Sequence, residues 1–360
     1  MGPDRASCMA LLRTDLPPLH TAEDESQIPG YHPNDIQSAY ELPRHGGAGR
    51  TVAIVNAFDN PNAESDLAVY RRTFHLPPCT TANGCFRKIN QNGGTTPPPT
   101  TDPDWALETS LDLDAVSAAC PDCKLLLVEA NNNRLVSSLL PAVDQAVAQG
   151  AKFVSMSWVV PEQPAEVTAG DAHFPAGIAF VAGSGDSGYP DQFWPAASRY
   201  VTAAGGTTLH QIRTHDGYRW SETAWSGGGS ACSLYEPKPP VQQDPGCPRR
   251  TTVDISAVGA PATGLAFYDT FSGFVSGWGV VGGTSLSSPL IAAMYAIAGT
   301  PGPTDRPNSY PYAHPSAFHD VVSGFNFPPV CTPAYFCAAR PGYDAPTGLG
   351  APRGVRGLRP

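Results

Sequence analysis

Lysine is scarce in this 360-residue chain: only Lys88, Lys124, Lys152 and Lys238 occur, and they form no cluster. Charged side chains make up 15% of the total, well below the roughly 25% of an average soluble domain. The formal net charge of −10 offers no basic face to a phosphate backbone, so no nucleic-acid partner is expected. No apolar run reaches the ~18 residues of a membrane span, so no membrane association is expected. Met1 to Leu12 holds no apolar stretch long enough for a signal peptide. Internal repeats are absent too. Gly (36) and Pro (39) make the chain loop-rich without the composition of collagen or a disordered tail. The length suffices for one large α/β domain or two ordinary ones.

Cysteine, by contrast, is patterned. Eight of the nine fall into close pairs, Cys79/Cys85, Cys120/Cys123, Cys232/Cys247 and Cys331/Cys337, leaving Cys8 over. Four local disulfides would fit an oxidising compartment and a secreted protein. An export signal is then expected to lie upstream of Met1 or to have been removed. The rival reading is a metal site at Cys120-Pro121-Asp122-Cys123, but zinc needs a second matched pair, and none is close in sequence. Disulfides are favoured.

Residues 1–30 lack periodicity and read as a leader or the remnant of a pro-segment. From Thr51 onward, short β-branched runs alternate with helical stretches. Strands are expected at Thr51–Asn56, Lys124–Glu129, Phe153–Ser157 and Ile178–Ala182, and helices at Glu64–Phe74, Trp105–Ala119, Leu135–Ala148 and Ser285–Ile297. Pro141 is expected to bend the third of these helices. The alternation predicts an α/β fold, a doubly wound and mostly parallel sheet with helices on both faces. Ligands of such sheets sit outside the carboxyl ends of the strands.

Three motifs carry candidate chemistry. The first is Gly282-Gly283-Thr284-Ser285-Leu286-Ser287-Ser288-Pro289, opening an apolar helix. Glycine allows a tight turn and proline is tolerated in a first helical turn, so Ser285 is placed at a helix N-terminus, where peptide dipoles favour developing negative charge. A plain N-cap is the competing role. The string Gly-Thr-Ser-x-x-x-Pro, however, resembles the nucleophile motif of subtilisin-like peptidases. Those enzymes draw their base from a His-Gly-Thr context and close the first strand with Asp. Here no histidine stands in that context, and the first strand ends in Asn56.

The second motif, Trp105-Ala-Leu-Glu108-Thr-Ser-Leu-Asp112-Leu-Asp114, puts Glu108 and Asp112 at i and i+4 on one helix face. Two carboxyls sharing a proton split their apparent pKa values, which suits an oriented general base. A solvated acidic face is the alternative. Asp114, at i+6, points elsewhere and reads as structural. The third motif, Val181-Ala-Gly-Ser-Gly185-Asp186-Ser187-Gly188, follows a strand. Gly-Asp-Ser-Gly also marks the nucleophile of chymotrypsin-like peptidases, but those are all-β barrels with an Ala-Ala-His-Cys motif that this chain lacks. A neutral Asp186 could donate a hydrogen bond to an oxyanion.

In this order, the three motifs resemble the sedolisins, or serine-carboxyl peptidases, which share the subtilisin-like fold. The resemblance runs from about Tyr31 to Gly350. It takes in Gly30-Tyr-His-Pro-Asn-Asp-Ile-Gln-Ser-Ala-Tyr40, Trp194-Pro-Ala-Ala-Ser-Arg-Tyr-Val-Thr-Ala-Ala-Gly-Gly-Thr207 and Trp225-Ser-Gly-Gly-Gly229. It implies a single catalytic domain over 31–350, followed by a tail over 351–360. It makes Ser285 the nucleophile, Glu108 its base and later acid, Asp112 the group that orients Glu108, and Asp186 the oxyanion donor. Peptide substrate would bind along Ser157, Trp158, Val159 and Gly185. The resemblance further implies one calcium ion, held by Asp320, Val321, Arg340, Gly342 and Asp344 with oxygen donors that suit it. The activity expected is that of a secreted, acid-acting, monomeric peptidase on peptide or protein substrates.

Departures from the family pattern keep an alternative open. Where relatives carry Ser-Tyr-Gly-Gly, this chain reads Ser157-Trp158-Val159-Val160. If Val159 and Val160 line the cleft, they narrow or block the pocket for the residue before the scissile bond. The alternative is thus a catalytically impaired, secreted peptide-binding relative. Only about 30 residues precede the catalytic region, where relatives commonly carry a long pro-domain.

Overall fold

The computed structural model describes every residue except Met1, Pro3, Pro18, Glu23 and Asp216. Two short strands, Ser7–Cys8 (β1) and Leu11–Leu12 (β2), and helix Pro33–Ala39 (α1) precede the first long strand, Thr51–Ala57 (β3). Helix Ala63–Thr73 (α2), strand Phe86–Asn90 (β4), helix Pro103–Ala119 (α3) and strand Lys124–Ala130 (β5) follow. Helix Leu140–Ala148 (α4) leads into strands Phe153–Met156 (β6), Trp158–Pro161 (β7), Ala179–Gly183 (β8) and Phe193–Trp194 (β9). The second half contains Thr202–Thr214 (β10), Gly217–Ala224 (β11), Ala231–Pro237 (β12), Arg249–Thr252 (β13) and Ile255–Val258 (β14). Strands Leu265–Asp269 (β15) and Gly277–Gly282 (β16) then lead into helix Thr284–Ala298 (α5).

The central sheet runs β11-β10-β8-β6-β3-β5-β4, with β14 also paired to β10. All its pairs are parallel except the β10–β11 hairpin. Both faces are covered, and the side chains divide between them by the period of two. Val52 and Ile54 of β3 join Leu125 and Leu127 of β5 in the cluster packed on α3 and α5. Ala53, Val55, Leu126 and Val128 turn the other way, onto α4. A parallel sheet buried on both sides is what the unbroken apolar runs of β3 and β5 require.

Helix α3 starts at Pro103 behind the cap of Asp102, whose carboxylate accepts from the N–H groups of Asp104 and Trp105. Every residue from Trp105 to Ala119 is buried, so beyond its first turn α3 has no solvated face, and Glu108, Asp112 and Asp114 are interior groups. Helix α5 is buried from Thr284 to Ile297 in the same way. Pro289 lies in its second turn rather than its first, four residues after Ser285. It therefore supplies no N–H to the Ser285 carbonyl. The continuous helix expected over Leu135–Ala148 is instead a π-type turn, Leu135–Leu139, followed by α4, with Pro141 in α4's first turn.

All four expected cysteine pairs are disulfides, which removes the metal reading of Cys120 and Cys123, and Cys8 is free. Among the described residues, no helix is long and apolar enough to cross a membrane. Val355 and Leu358 pack into the main core.

Candidate active site

The carboxyl ends of β3, β6 and β8 deliver Asn56, Ser157 and the Gly185-Asp186 turn to one edge of the sheet. Helices α3 and α5 pack together beneath that edge. The Oγ of Ser285 donates to Oε2 of Glu108 at 2.7 Å. One turn on, Oδ1 of Asp112 accepts from Ser157 Oγ at 2.6 Å and Oδ2 from Asn56 Nδ2 at 2.9 Å. Glu108, Asp112, Ser157, Asn56 and Ser285 are all fully buried. Asp114 is used elsewhere, accepting from the Tyr268 N–H at 2.9 Å.

Burial, and after it the Asp112 charge, pushes the Glu108 carboxyl well above the ordinary range, while hydrogen bonds from Ser285, Met9 and Ala10 pull it back. Burial likewise raises Asp112 to about 7 against the hydrogen bonds of Ser157 and Asn56. Among the described residues Oε1 of Glu108 is buried without a hydrogen-bond partner, while Oε2 is the oxygen that accepts. A carboxyl pair of this kind holds a proton in mild acid. Among the described residues, Glu108 and Asp112 accept from Ser285, Met9, Ala10, Ser157 and Asn56, and no histidine bonds to the trio.

Asp186 faces the start of α5. Its Oδ1 accepts from both the N–H and the Oγ1 of Thr284 at 2.8 Å, while Oδ2 is buried with no hydrogen-bond partner among the described residues. Burial raises this carboxyl to about 7; the Thr284 bonds oppose the rise and the Asp191 charge adds to it. Below that pH the free oxygen carries a proton, so the group is a donor aimed at the space beside Ser285. Gly185 holds φ +118°, and a Cβ there would stand 2.5 Å from Asp191 Oδ2, so the turn that presents Asp186 requires glycine.

The substrate-side expectation changes in one respect. Trp158 and Val160 both pack inward with the α4-side cluster, and Trp158 Nε1 donates to the Val55 carbonyl at 3.0 Å, so neither side chain lines the cleft. Only Val159 faces the other way, paired with Ser7 of the chain's own N-terminal segment. Sequence reading missed two contributors. The sequence offers Asn56 only as a residue standing in place of an Asp and Ser157 as a substrate contact, yet both donate to Asp112. It also missed Met9 and Ala10, whose N–H groups each reach Glu108 Oε2 at 2.8 Å; nothing in the unpatterned text of 1–30 signals that contact.

The candidate calcium residues are gathered by the loop after Phe318. Oδ2 of Asp320 accepts from the Gly342 N–H at 2.8 Å, and Oδ2 of Asp344 from the Arg340 N–H at 2.8 Å. Asp344 is raised to about 7, by burial first and by the Asp320 charge in the same direction. Among the described residues no group of three or more His, Cys, Asp or Glu side chains converges, so a cation here would depend on two carboxylates and on backbone carbonyls.

Residues 90–309 match the model of the subtilase family. Kumamolisin of Bacillus sp. (strain MN-32) is 30% identical over 94% of this chain and 65% of its own length. Sedolisin of Pseudomonas sp. (strain 101) is 27% identical over 89% of this chain and 60% of its own length. The chain thus spans under two thirds of either curated relative. Among solved structures, Pseudomonas sedolisin complexed with two molecules of pseudo-iodotyrostatin superposes with a TM-score of 0.76 at 27% identity, covering 91% of this chain and 96% of the other.

Proposed function

Because the chain belongs to the subtilase family, in its sedolisin (serine-carboxyl peptidase) group, we propose that it hydrolyses peptide bonds in acid through an acyl-enzyme on Ser285. The observation that carries this reading is the 2.7 Å hydrogen bond from Ser285 Oγ to Glu108 Oε2. Glu108 takes the hydroxyl proton as Oγ attacks the scissile carbonyl, and returns it to the departing amine. Asp112, fixed from two sides by Ser157 and Asn56, orients Glu108 and shares the pair's proton. The protonated Oδ2 of Asp186 and backbone N–H groups at the start of α5 stabilise the oxyanion. Water then resolves the ester. The four disulfides support an extracellular setting.

The residues fit the calcium site that the sedolisin group implies. Asp320 and Asp344 are two carboxylates close enough to repel, and neither is ion-paired among the described residues. With the carbonyls of Val321, Arg340 and Gly342 they make an all-oxygen set. Bound calcium would neutralise the loop and tie residues 320–344 together. Digestion of a peptide library by acid-incubated protein at pH 4 with calcium should give internal cleavages. An intact library with bound peptides would instead favour a binding protein without turnover. Chelation with EGTA should lower the melting temperature by about 3–6 °C, restored by calcium; an unchanged melting curve would remove the ion from the account.

Acid stability follows from buried carboxyls away from the site. Burial raises Glu166 and Glu236 to about 8 and Glu222 to about 7. Each binds its proton more tightly folded than unfolded. The stability they contribute is therefore complete below about pH 4 and declines as pH rises to about 8. The Ser285→Ala protein, which should not digest itself, is expected to melt at least about 5 °C higher at pH 4 than at pH 8. A higher melting point at pH 8 would contradict the assignment.

A further inference from the structure

Residues 4–13 cross the cleft as a strand interrupted at Met9 and Ala10, with β1 before the break and β2 after it. On one flank, Ala6 N–H donates to the Asn133 carbonyl at 2.8 Å, and Leu135 N–H to the Asp4 carbonyl at 3.0 Å. On the other, Ser7 and Cys8 pair antiparallel with Val159 and Trp158. Beyond the turn at Met9 and Ala10, Leu11 and Leu12 pair with Gly282 and Val281 of β16, and Arg13 N–H donates to the Val280 carbonyl at 2.9 Å. The backbone is held on both sides of Ser285, as a peptide crossing the site would be.

The Met9–Ala10 bond lies at the centre of this strand. The N–H groups on either side of the Met9 carbonyl both donate to Glu108 Oε2, the oxygen that Ser285 Oγ also reaches. The Met9 carbonyl oxygen lies over Gly283: a Cβ on Gly283 would stand 2.1 Å from it and 2.7 Å from Asp186 Oδ2. Carbonyl oxygen and unpartnered acid therefore border one small space. The Met9 side chain is 7% exposed. Its Sδ lies 3.8 Å from Thr284 Oγ1, and a Cβ on Gly183 would come within 2.8 Å of its Cε. The missing side chain of Gly183 is what leaves room for the tip of Met9.

We propose that Arg5 to Leu12 lies in the cleft as a substrate, that Met9–Ala10 is its scissile bond, and that Gly183 sets the depth of the seat for the residue before that bond. The inference rests on the peptidase reading above and adds the substrate class: peptides with a long, unbranched apolar residue, methionine above all, at that position. In the cut, Ser285 Oγ bonds to the Met9 carbonyl carbon and the C–N bond to Ala10 breaks. The hydroxyl proton passes by way of Glu108 to the Ala10 nitrogen. Water then hydrolyses the ester, leaving a Met9 carboxyl and a free Ala10 amine.

Intact-mass and N-terminal mass spectrometry after incubation at pH 4 should show a chain beginning at Ala10, and Ser285→Ala protein should stay whole at that bond. On peptides Ala-Ser-Ala-Xaa-Ala-Leu-Leu, kcat/KM for methionine should exceed that for valine by about tenfold or more. Gly183→Ala should reverse this order in favour of a smaller Xaa; should that variant not fold, the peptide series on the unaltered protein decides alone. Cleavage of other peptides with no preference for methionine and no cut at Met9–Ala10 overturns this inference while the peptidase reading stands. Failure to cleave any peptide overturns both.

Discussion

Replacing Ser285 with alanine is expected to lower kcat/KM for peptide hydrolysis by about 10⁴-fold or more while leaving the fold in place. The magnitude follows from what the hydroxyl does in the proposed reaction. Without Oγ no acyl-enzyme forms, and what persists is the residual catalysis of an oxyanion site acting on bound peptide and water. The structural cost is small by comparison. Ser285 is a buried residue at the start of α5, so the change removes one oxygen and one hydrogen bond, on the order of 1 kcal/mol. Oε2 of Glu108 keeps the Met9 and Ala10 N–H donors, so no buried acceptor is stranded. Assays at pH 4 with a quenched peptide, next to circular dichroism of both proteins, separate the two effects. Hydrolysis by well-folded Ser285→Ala protein at more than a hundredth of the normal rate would show that another group is the nucleophile. A peptide aldehyde should add to the normal protein and not to the variant, seen as a mass increment.

Most of the site is legible in the sequence because its chemistry is local. Glu108 and Asp112 are four residues apart on one helix, and Ser285 stands in a contiguous glycine-rich turn, so spacing offers them as candidates, and the resemblance to the sedolisins is what attaches roles to them. What sequence does not distinguish is a solvated acidic face from a buried one. That distinction comes from α5 packing against α3, a tertiary fact. Asn56 and Ser157 were seen as letters, but their donation to Asp112 depends on the parallel order β6-β3-β5, which brings two distant strand ends to one carboxylate. The central strands β3, β5, β6 and β8 are found within one or two residues, since each is a short apolar run buried on both faces. The long β10–β11 hairpin, rich in Gly and Thr, carries no comparable signal. Strands β1 and β2 are two residues each and exist through their partners β7 and β16; their own sequence has no pattern to read.

Asp186→Ala is expected to cost about 10²–10³ in kcat, the usual loss when one oxyanion donor is removed, with a much smaller change in KM. The reasoning turns on which oxygen is engaged. Oδ1 is committed to Thr284, so the only group left for the oxyanion is Oδ2, and it can donate only when protonated. With the carboxyl raised to about 7, it is a donor throughout mild acid and becomes an anion above that pH, where it would repel the developing charge it is meant to stabilise. The sign is therefore fixed: the rate of the normal enzyme should fall as pH rises through about 7, and Asp186→Ala should lose the share of that fall due to Asp186, keeping only the share due to Asp112, which is raised to about 7 as well. Initial rates measured over pH 3–9, kept short enough that loss of the folded state at high pH does not contribute, give both numbers from one experiment. An alanine variant within threefold of normal at pH 4 would move the oxyanion donor to another residue.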